Sequence, residues 1–511
     1  MTEAAPAERA APVVDAASEW RSLIQAVAVF AALVGTAFEN GGFFPGTWTT
    51  VTVAFLWLLA LALLLDVPVE LTRLDAVWLA LIAAVVAWTA LSIVWSLNER
   101  ASVFEVRRGL VYLAAAGALL LLGTRRSPQQ VTAAVCGAAS VVIVYALARY
   151  LLAPTAGPDQ FQVNLLFRPL GYANAVGIFA GVAAVLAVGL AARGSSPWLR
   201  APAAASLAPL TAAICLTASR ASALAVVVGL AVMLAVDVRR VDLAACLVVV
   251  APVALVLVAL CERADLTSGA RAAGSGEGKA RLLALSIALA SCVLAFVPPV
   301  LDGAVRRLGG VEWRRLRPLA AVALLLVAAA AILGRSRADA FFTTGYRPTY
   351  WRVAWREVTA HPFLGGGAGT FADYWSRYGS ATLQGGALDA HNLYLETLAE
   401  LGVVGLLLVG SMLALPLAAA LLVRAQPLVS AAAGAYAAFL AHAAVDWDWE
   451  MPAVTLAAVA CAVVILLAQR ERRPAHVLPA ALRALALCLA LALAAVVLSM
   501  QLVPGLKRPF P

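Results

Sequence analysis

Residues 391–423 read HNLYLETLAELGVVGLLLVGSMLALPLAAALLV. From Leu401 to Val423 there is no charged side chain. A run of that length, coiled as a helix, crosses a hydrocarbon core ~30 Å thick. Just before it stand a titratable imidazole (His391), an amide (Asn392) and two carboxylates (Glu396, Glu400). The stretch therefore predicts a membrane span with a polar segment at its head.

Outward from this stretch the apolar signature repeats. About 15 spans are expected by hydropathy: 22–38, 48–65, 75–95, 108–123, 131–152, 170–192, 201–218, 221–237, 241–261, 281–301, 318–334, 401–423, 427–445, 452–468 and 479–502. The runs are continuous, whereas a transmembrane β-barrel needs short alternating segments. Hydrophobic residues make up 63% and charged residues 13% of the 511, with a mean hydropathy of +0.91. A soluble domain carries about 25% charge. The expected fold is all-α: a polytopic transmembrane helical protein with one large extracytoplasmic loop. Its parts are an N-terminal cytoplasmic tail (1–21), helices (22–334), the loop (335–400), further helices (401–502) and a short tail (503–511).

The net charge of +9 does not point to nucleic acid, because the arginines are dispersed in short loops. Placing 1–21 in the cytoplasm puts Arg125-Arg126, Arg193 with Arg200, Arg239-Arg240, Arg306-Arg307 and Arg470 inside. That satisfies the positive-inside rule. The acidic run Asp446-Trp447-Asp448-Trp449-Glu450 and residues 335–400 then lie outside. The mixed-charge N-terminus is a poor signal-peptide n-region, so the first helix reads as an uncleaved anchor. The seven cysteines show no paired spacing, so neither a disulfide framework nor a metal site is expected.

Arg168 and Arg220 fall at outer helix ends, against the topological trend, and Arg347 lies in the outer loop. Anion binding is one reason for such arginines, and a salt bridge between loops is the other. Asn174 lies just inside the helix that follows Arg168, where it binds a ligand or bonds to a neighbouring helix. Residues 348–358 form an amphipathic helix whose face is Trp351, Ala354, Trp355 and Val358, with Pro348 at its start. Arg352 and Arg356 read as interfacial anchors. The glycine run 365–369 is either a tight turn or a cradle of N–H groups for phosphate. His391 is either a packing residue or a proton acceptor for an attacking hydroxyl, and Glu400 either a ligand group or a favoured charge at a helix start.

These residues carry a resemblance. The pattern His391-Asn392, nine residues, Gly402, two residues, Gly405 resembles the C-terminal motif of the O-antigen ligase/polymerase family. Arg347…Trp351…His361-Pro362…Gly365…Gly367 is similar to the same family's loop. Ser219-Arg220…Leu224 resembles its Arg-x-x-x-Leu motif, and Arg168…Gly171…Asn174 an earlier segment. The matching order covers roughly 165–405. The chain departs by an additional helix at 479–502 and by having no C-terminal soluble extension.

The resemblance implies a GT-C-like membrane glycosyltransferase at the plasma (inner) membrane, with its site outside the cytoplasm. Members move a glycan from an undecaprenyl-diphosphate-linked oligosaccharide donor to a hydroxyl on a glycan, lipid or protein acceptor, with inversion and without a metal or other cofactor. The family holds lipopolysaccharide ligases, repeat-unit polymerases, protein oligosaccharyltransferases and members described as inorganic-carbon transporters. On this reading His391, Arg220 and Arg347 are the catalytic set. Arg168, Asn174, Asn392, Glu396 and Glu400 bind substrate. The polyprenyl tail lies between helices among membrane lipids. The rival readings are a transporter of a small solute or inorganic carbon and a non-catalytic assembly protein. A transporter is disfavoured because span interiors read as nearly free of charge.

Overall fold

The computed structural model describes residues 16–64, 70–153, 159, 161–268, 276–308, 346–379, 386–471 and 476–503. The expected span at 318–334, the start of the outer loop and Arg306-Arg307 as side chains lie outside the described residues. The helices are α1 (Ala16–Phe38), α2 (Pro45–Leu64), α3 (Arg73–Ser92), α4 (Glu99–Leu122), α5 (Ser127–Leu152), α6 (Ala173–Arg193), α7 (Pro197–Leu216), α8 (Arg220–Val236), α9 (Arg240–Ala264), α10 (Glu277–Ala295) and α11 (Val297–Leu308). They continue as α12 (Arg347–Ala360), α13 (Phe371–Tyr378), α14 (Leu393–Leu422), α15 (Val429–Ala443), α16 (Pro452–Ala468) and α17 (Ala480–Met500). Two-residue strands Glu70–Leu71 and His476–Val477 pair antiparallel. Among the described residues, ten helices are long and apolar enough to cross a membrane, and α8, α15 and α16 are shorter apolar helices. The fold is all-α and polytopic.

Short polar residues start many of these helices. Thr72 and Asp75 form a capping box on α3, while the Asn98, Ser219 and Asn392 side chains cap α4, α8 and α14. Each satisfies backbone N–H groups that a helix start leaves open. Pro stands in the first turn of α5, α7, α12 and α16, where its missing N–H costs nothing.

α6 and α16 are buried along nearly their whole length and form the centre of the bundle. α8 and α15 cross at Gly229 and Gly434. A Cβ on Gly229 would stand 2.7 Å from the Gly434 carbonyl oxygen, and one on Gly434 2.4 Å from that of Gly229. Small residues at such a crossing let two backbones touch, which is how helices associate where lipid supplies no hydrophobic force.

Charged groups segregate to two ends. At one end Arg126 pairs with Glu19, Arg193 with Asp237, and Arg200 with Asp302 at 2.8 Å. Arg470 reaches Asp75 at 3.2 Å and the carbonyls of Leu120 and Gly123 there. At the other end Leu97 bonds to Gly366, Leu166 to Leu216, and Tyr172 to Asp446. Among the described residues, the connections carrying Arg126, Arg193, Arg200, Arg239 and Arg470 share the first end.

Two readings change. The expectation of nearly uncharged span interiors fails at α4, which starts nine residues before the expected span and carries Glu105, Arg107 and Arg108 into the bundle. Arg108 is buried between the Trp48 and Trp449 rings and pairs with Glu105 and, at 2.7 Å, Glu450. The amphipathic face of α12 is also rotated. Tyr350, Val353, Ala354, Glu357 and Val358 are buried, while Trp355 is 57% exposed. The helix packs on α13 and on the start of α14, so its inner face is set by the loop's own small core.

Candidate active site

The polar stretch before the last long run is ordered around α14. Asn392 accepts from the N–H groups of Tyr394 and Leu395 at 3.1 and 2.9 Å and is the helix cap. Glu396 is buried and accepts from Ala390 N–H at 2.7 Å. Glu400 is buried too and accepts from Gly369 N–H at 2.8 Å and Phe371 N–H at 3.0 Å. These three residues, read from sequence as substrate ligands, have side chains engaged by the loop itself.

The glycine run is a tight turn and not an open cradle. Its N–H groups bond to His361, Ala399 and Glu400 carbonyls and to Ser92. A Cβ on Gly365 would lie 2.1 Å from the Glu400 carbonyl oxygen, and one on Gly402 2.1 Å from that of Phe363. Gly402 sits at φ 66° and ψ −170°, where it breaks α14 so that the turn can lock against the break. Inside this lock Glu357 accepts from Thr370 at 2.7 Å. Burial pushes its carboxyl up to about 7, against the Thr370 bond.

His391 stands just ahead of the cap with φ 54°, a left-handed conformation that a non-glycine residue seldom holds outside constrained sites. Its Nδ1 lies 2.8 Å from Asp389 Oδ1. The Tyr350 ring stacks on it with centroids 4.6 Å apart. Burial alone would lower the imidazole pKa. The Asp389 contact and charge, with Asp446 beyond, outweigh burial and raise it above its ordinary value.

One turn before Tyr350, Arg347 donates from Nε to the Val445 carbonyl at 2.6 Å and from Nη2 to Asp446 Oδ2 at 2.8 Å. Asp446 also accepts from Tyr172 Oη at 2.9 Å and Asn174 Nδ2 at 2.6 Å. Asp446 therefore gathers Arg347 and Asn174 from distant parts of the chain and faces His391. The deeper side of the same acidic segment carries a second constellation. His442 Nδ1 lies 3.1 Å from Asp448 Oδ1, and its Nε2 lies 3.1 Å from Ser222 Oγ.

Arg220 is the first residue of α8, two positions before Ser222. It is half-buried and has no hydrogen-bond or ion-pair partner among the described residues. Arg168 is exposed and lies over the Phe167 ring, apart from the Asp446 cluster. His361 is exposed at the end of α12. Below Ser219, between α6, α7, α8 and α9, an apolar cavity of about 150 Å³ runs past Ala223 and Val226 to Leu230 and Leu247. Among the described residues no cluster of His, Cys, Asp and Glu could hold a metal ion.

Sequence reasoning missed Asp389, Asp446, Asp448, Tyr172 and His442. The signal for Asp446 and Asp448 is present in the carboxylate-rich run 446–450 between two apolar helices. It was read only as the mark of an outer loop.

A search of curated proteins found no match to this chain. Residues 204–410 match the family described as O-antigen ligase. The matched segment opens in α7, takes in Ser219, Arg220, Arg347 and the Asp389–His391 pair, and ends inside α14. That match shows residues 204–410 to be similar to the O-antigen ligase family.

Proposed function

We propose that the chain transfers a glycan from an undecaprenyl-diphosphate-linked donor to an acceptor hydroxyl at the outer face of the membrane. The observation that carries this is that a carboxylate-oriented histidine and an arginine without a partner among the described residues lie at the same end of the bundle as the mouth of an apolar cavity. Asp389 orients His391 and supports its positive charge. His391 takes the acceptor's hydroxyl proton as the oxygen attacks the anomeric carbon. The bond from that carbon to the phosphate oxygen breaks, and its electron pair leaves with the lipid diphosphate. Attack from the face opposite the leaving group inverts the configuration.

Arg220 pairs with the leaving diphosphate, since a guanidinium matches phosphate oxygens two at a time. Arg347 is already fixed by Asp446 and Val445, so its uncommitted Nη1 edge is pre-aimed. The cavity below Ser219 accepts the first isoprene units of the tail. Asn174 completes the donor side by holding Asp446. No step uses a metal.

The test is transfer by the purified full chain from an undecaprenyl-diphosphate oligosaccharide to a glycan or glycolipid acceptor. Arg220→Lys keeps the charge and loses the planar fork. It should lose most turnover, while Arg126→Lys, an exposed pair at the opposite end, keeps it. Equal turnover in both would remove Arg220 from the phosphate site.

A further inference from the structure

We infer that Ser219 donates a hydrogen bond to a phosphate oxygen of the lipid diphosphate, aimed by the buried chain Asp448–His442–Ser222. The inference rests on the donor reading above and adds a binding residue to it.

The argument is a count of protons. Ser219 Oγ accepts twice, from Ser222 N–H at 3.2 Å as the cap of α8 and from the Ser222 hydroxyl at 2.8 Å. Among the described residues the Ser219 hydroxyl donates to nothing, although the residue is 4% exposed. Its proton is directed away from both acceptor contacts, and the space Ser219 lines is the upper end of the apolar cavity. A buried hydroxyl that keeps its donor unused is costly unless something outside the protein accepts it.

Ser222 has one hydroxyl proton. It goes to Ser219, the shorter of its two acceptor contacts, the other being the Asn174 carbonyl at 3.3 Å. His442 Nε2, 3.1 Å from Ser222 Oγ, must then be the donor in that contact. The second proton of the pair lies on the line from His442 Nδ1 to Asp448 Oδ1. His442 Nε2 and Ser222 therefore donate toward the cavity while Asp448 holds the other ring nitrogen, the reverse of a hydrolase triad in which histidine draws the serine proton inward. Linked donors polarise one another. The last of them caps α8 directly before Arg220, at the open N–H groups of the helix's first turn, a second source of positive potential.

The fold aims this chain through the glycine crossing. Gly434, Ala438 and His442 lie four residues apart on one face of α15, opposite Gly229 and Ser222 on α8. With the backbones touching at the glycines, the imidazole reaches the serine without an intervening side chain.

The experiment measures binding of undecaprenyl diphosphate, carrying no sugar, to the purified full chain in nanodiscs by surface plasmon resonance, with a melting curve for each variant. Ser219→Ala should weaken binding about tenfold or more, the usual size for a hydrogen bond to a charged group. Ser219→Thr, whose extra methyl enters the cavity, should bind within about twofold of the unsubstituted chain. Ser219→Asp is decisive, because Asp caps a helix as well as Ser does but cannot donate and repels phosphate. It should bind more weakly than Ser219→Ala while melting no lower. Binding by Ser219→Asp equal to that of the unsubstituted chain would reduce Ser219 to a helix cap and overturn the inference while leaving the donor reading intact. No binding by the unsubstituted chain would overturn the donor reading itself, and the inference with it.

Discussion

At the residue scale the account turns on how Asp389 conditions His391. The raised imidazole pKa means that the protonated form persists to higher pH than in a free histidine. A base must be neutral to act, so turnover should fall on the acid side through that raised value. Asp389→Asn removes the charge that holds the proton. The acid limb of the rate profile should move to lower pH, and the plateau should drop because the ring is less well oriented. A profile unmoved by the substitution would separate Asp389 from the base. For stability the sign is opposite: the pair stabilises the fold below about pH 6.5, the ordinary imidazole value, and that contribution is lost as pH rises through the folded value. At this scale the sequence exposed His391 and Arg347 through their polar setting. It could not show that Asn392, Glu396 and Glu400 bond to the backbone, because a carboxylate looks the same in sequence whether it meets a ligand or, as Glu400 does, two N–H groups. Nor could it pair Arg347 with Asp446, 99 residues away.

At the element scale the site depends on the lock between the glycine turn and the break in α14. Gly402 has a positive φ, and an added Cβ would strike the Phe363 carbonyl. Gly402→Ala therefore combines backbone strain with a backbone clash that no rotamer change relieves, a cost of about 1–3 kcal/mol from the strain alone. It should lower the melting temperature and abolish turnover, because the same segment carries His391 eleven residues earlier, just ahead of the α14 cap. A Gly402→Ala chain with unchanged melting and turnover would mean the break is not needed. The sequence announced the glycines by their spacing. What it concealed was the partner of each, since Gly365 packs on the Glu400–Leu401 backbone and Gly402 on that of Phe363–Leu364, and that is a tertiary fact. The rotated face of α12 was hidden for a similar reason. A helix with Tyr350 and Glu357 on one side and Trp351 and Trp355 on another offers two faces, and only the packing of α13 selects between them.

At the scale of the whole molecule the places of the apolar helices were readable because apolar length marks a membrane helix, although only ten of the described helices are long and apolar enough to cross. Fourteen of the expected runs coincide with described helices, and the fifteenth lies outside the described residues. The charged part of α4 was not readable in that way, since Glu105, Arg107 and Arg108 dilute its hydropathy while being paired or packed inside. On the reading proposed above, the end holding Arg126, Arg193, Arg200 and Arg470 faces the cytoplasm. A cysteine at exposed Ser376, in a chain otherwise free of cysteine, should then react with an impermeant reagent in intact cells. Labelling only after permeabilisation would invert the assignment. The central claim is that the outer end is a glycan-transfer site built on His391. Its most direct measurement is turnover of purified His391→Ala with a lipid-linked oligosaccharide, beside a melting curve. The account predicts a loss of about 10²–10⁴ in rate, the usual worth of a general base, with melting unchanged and undecaprenyl diphosphate still bound; a folded variant with near-normal turnover would contradict it.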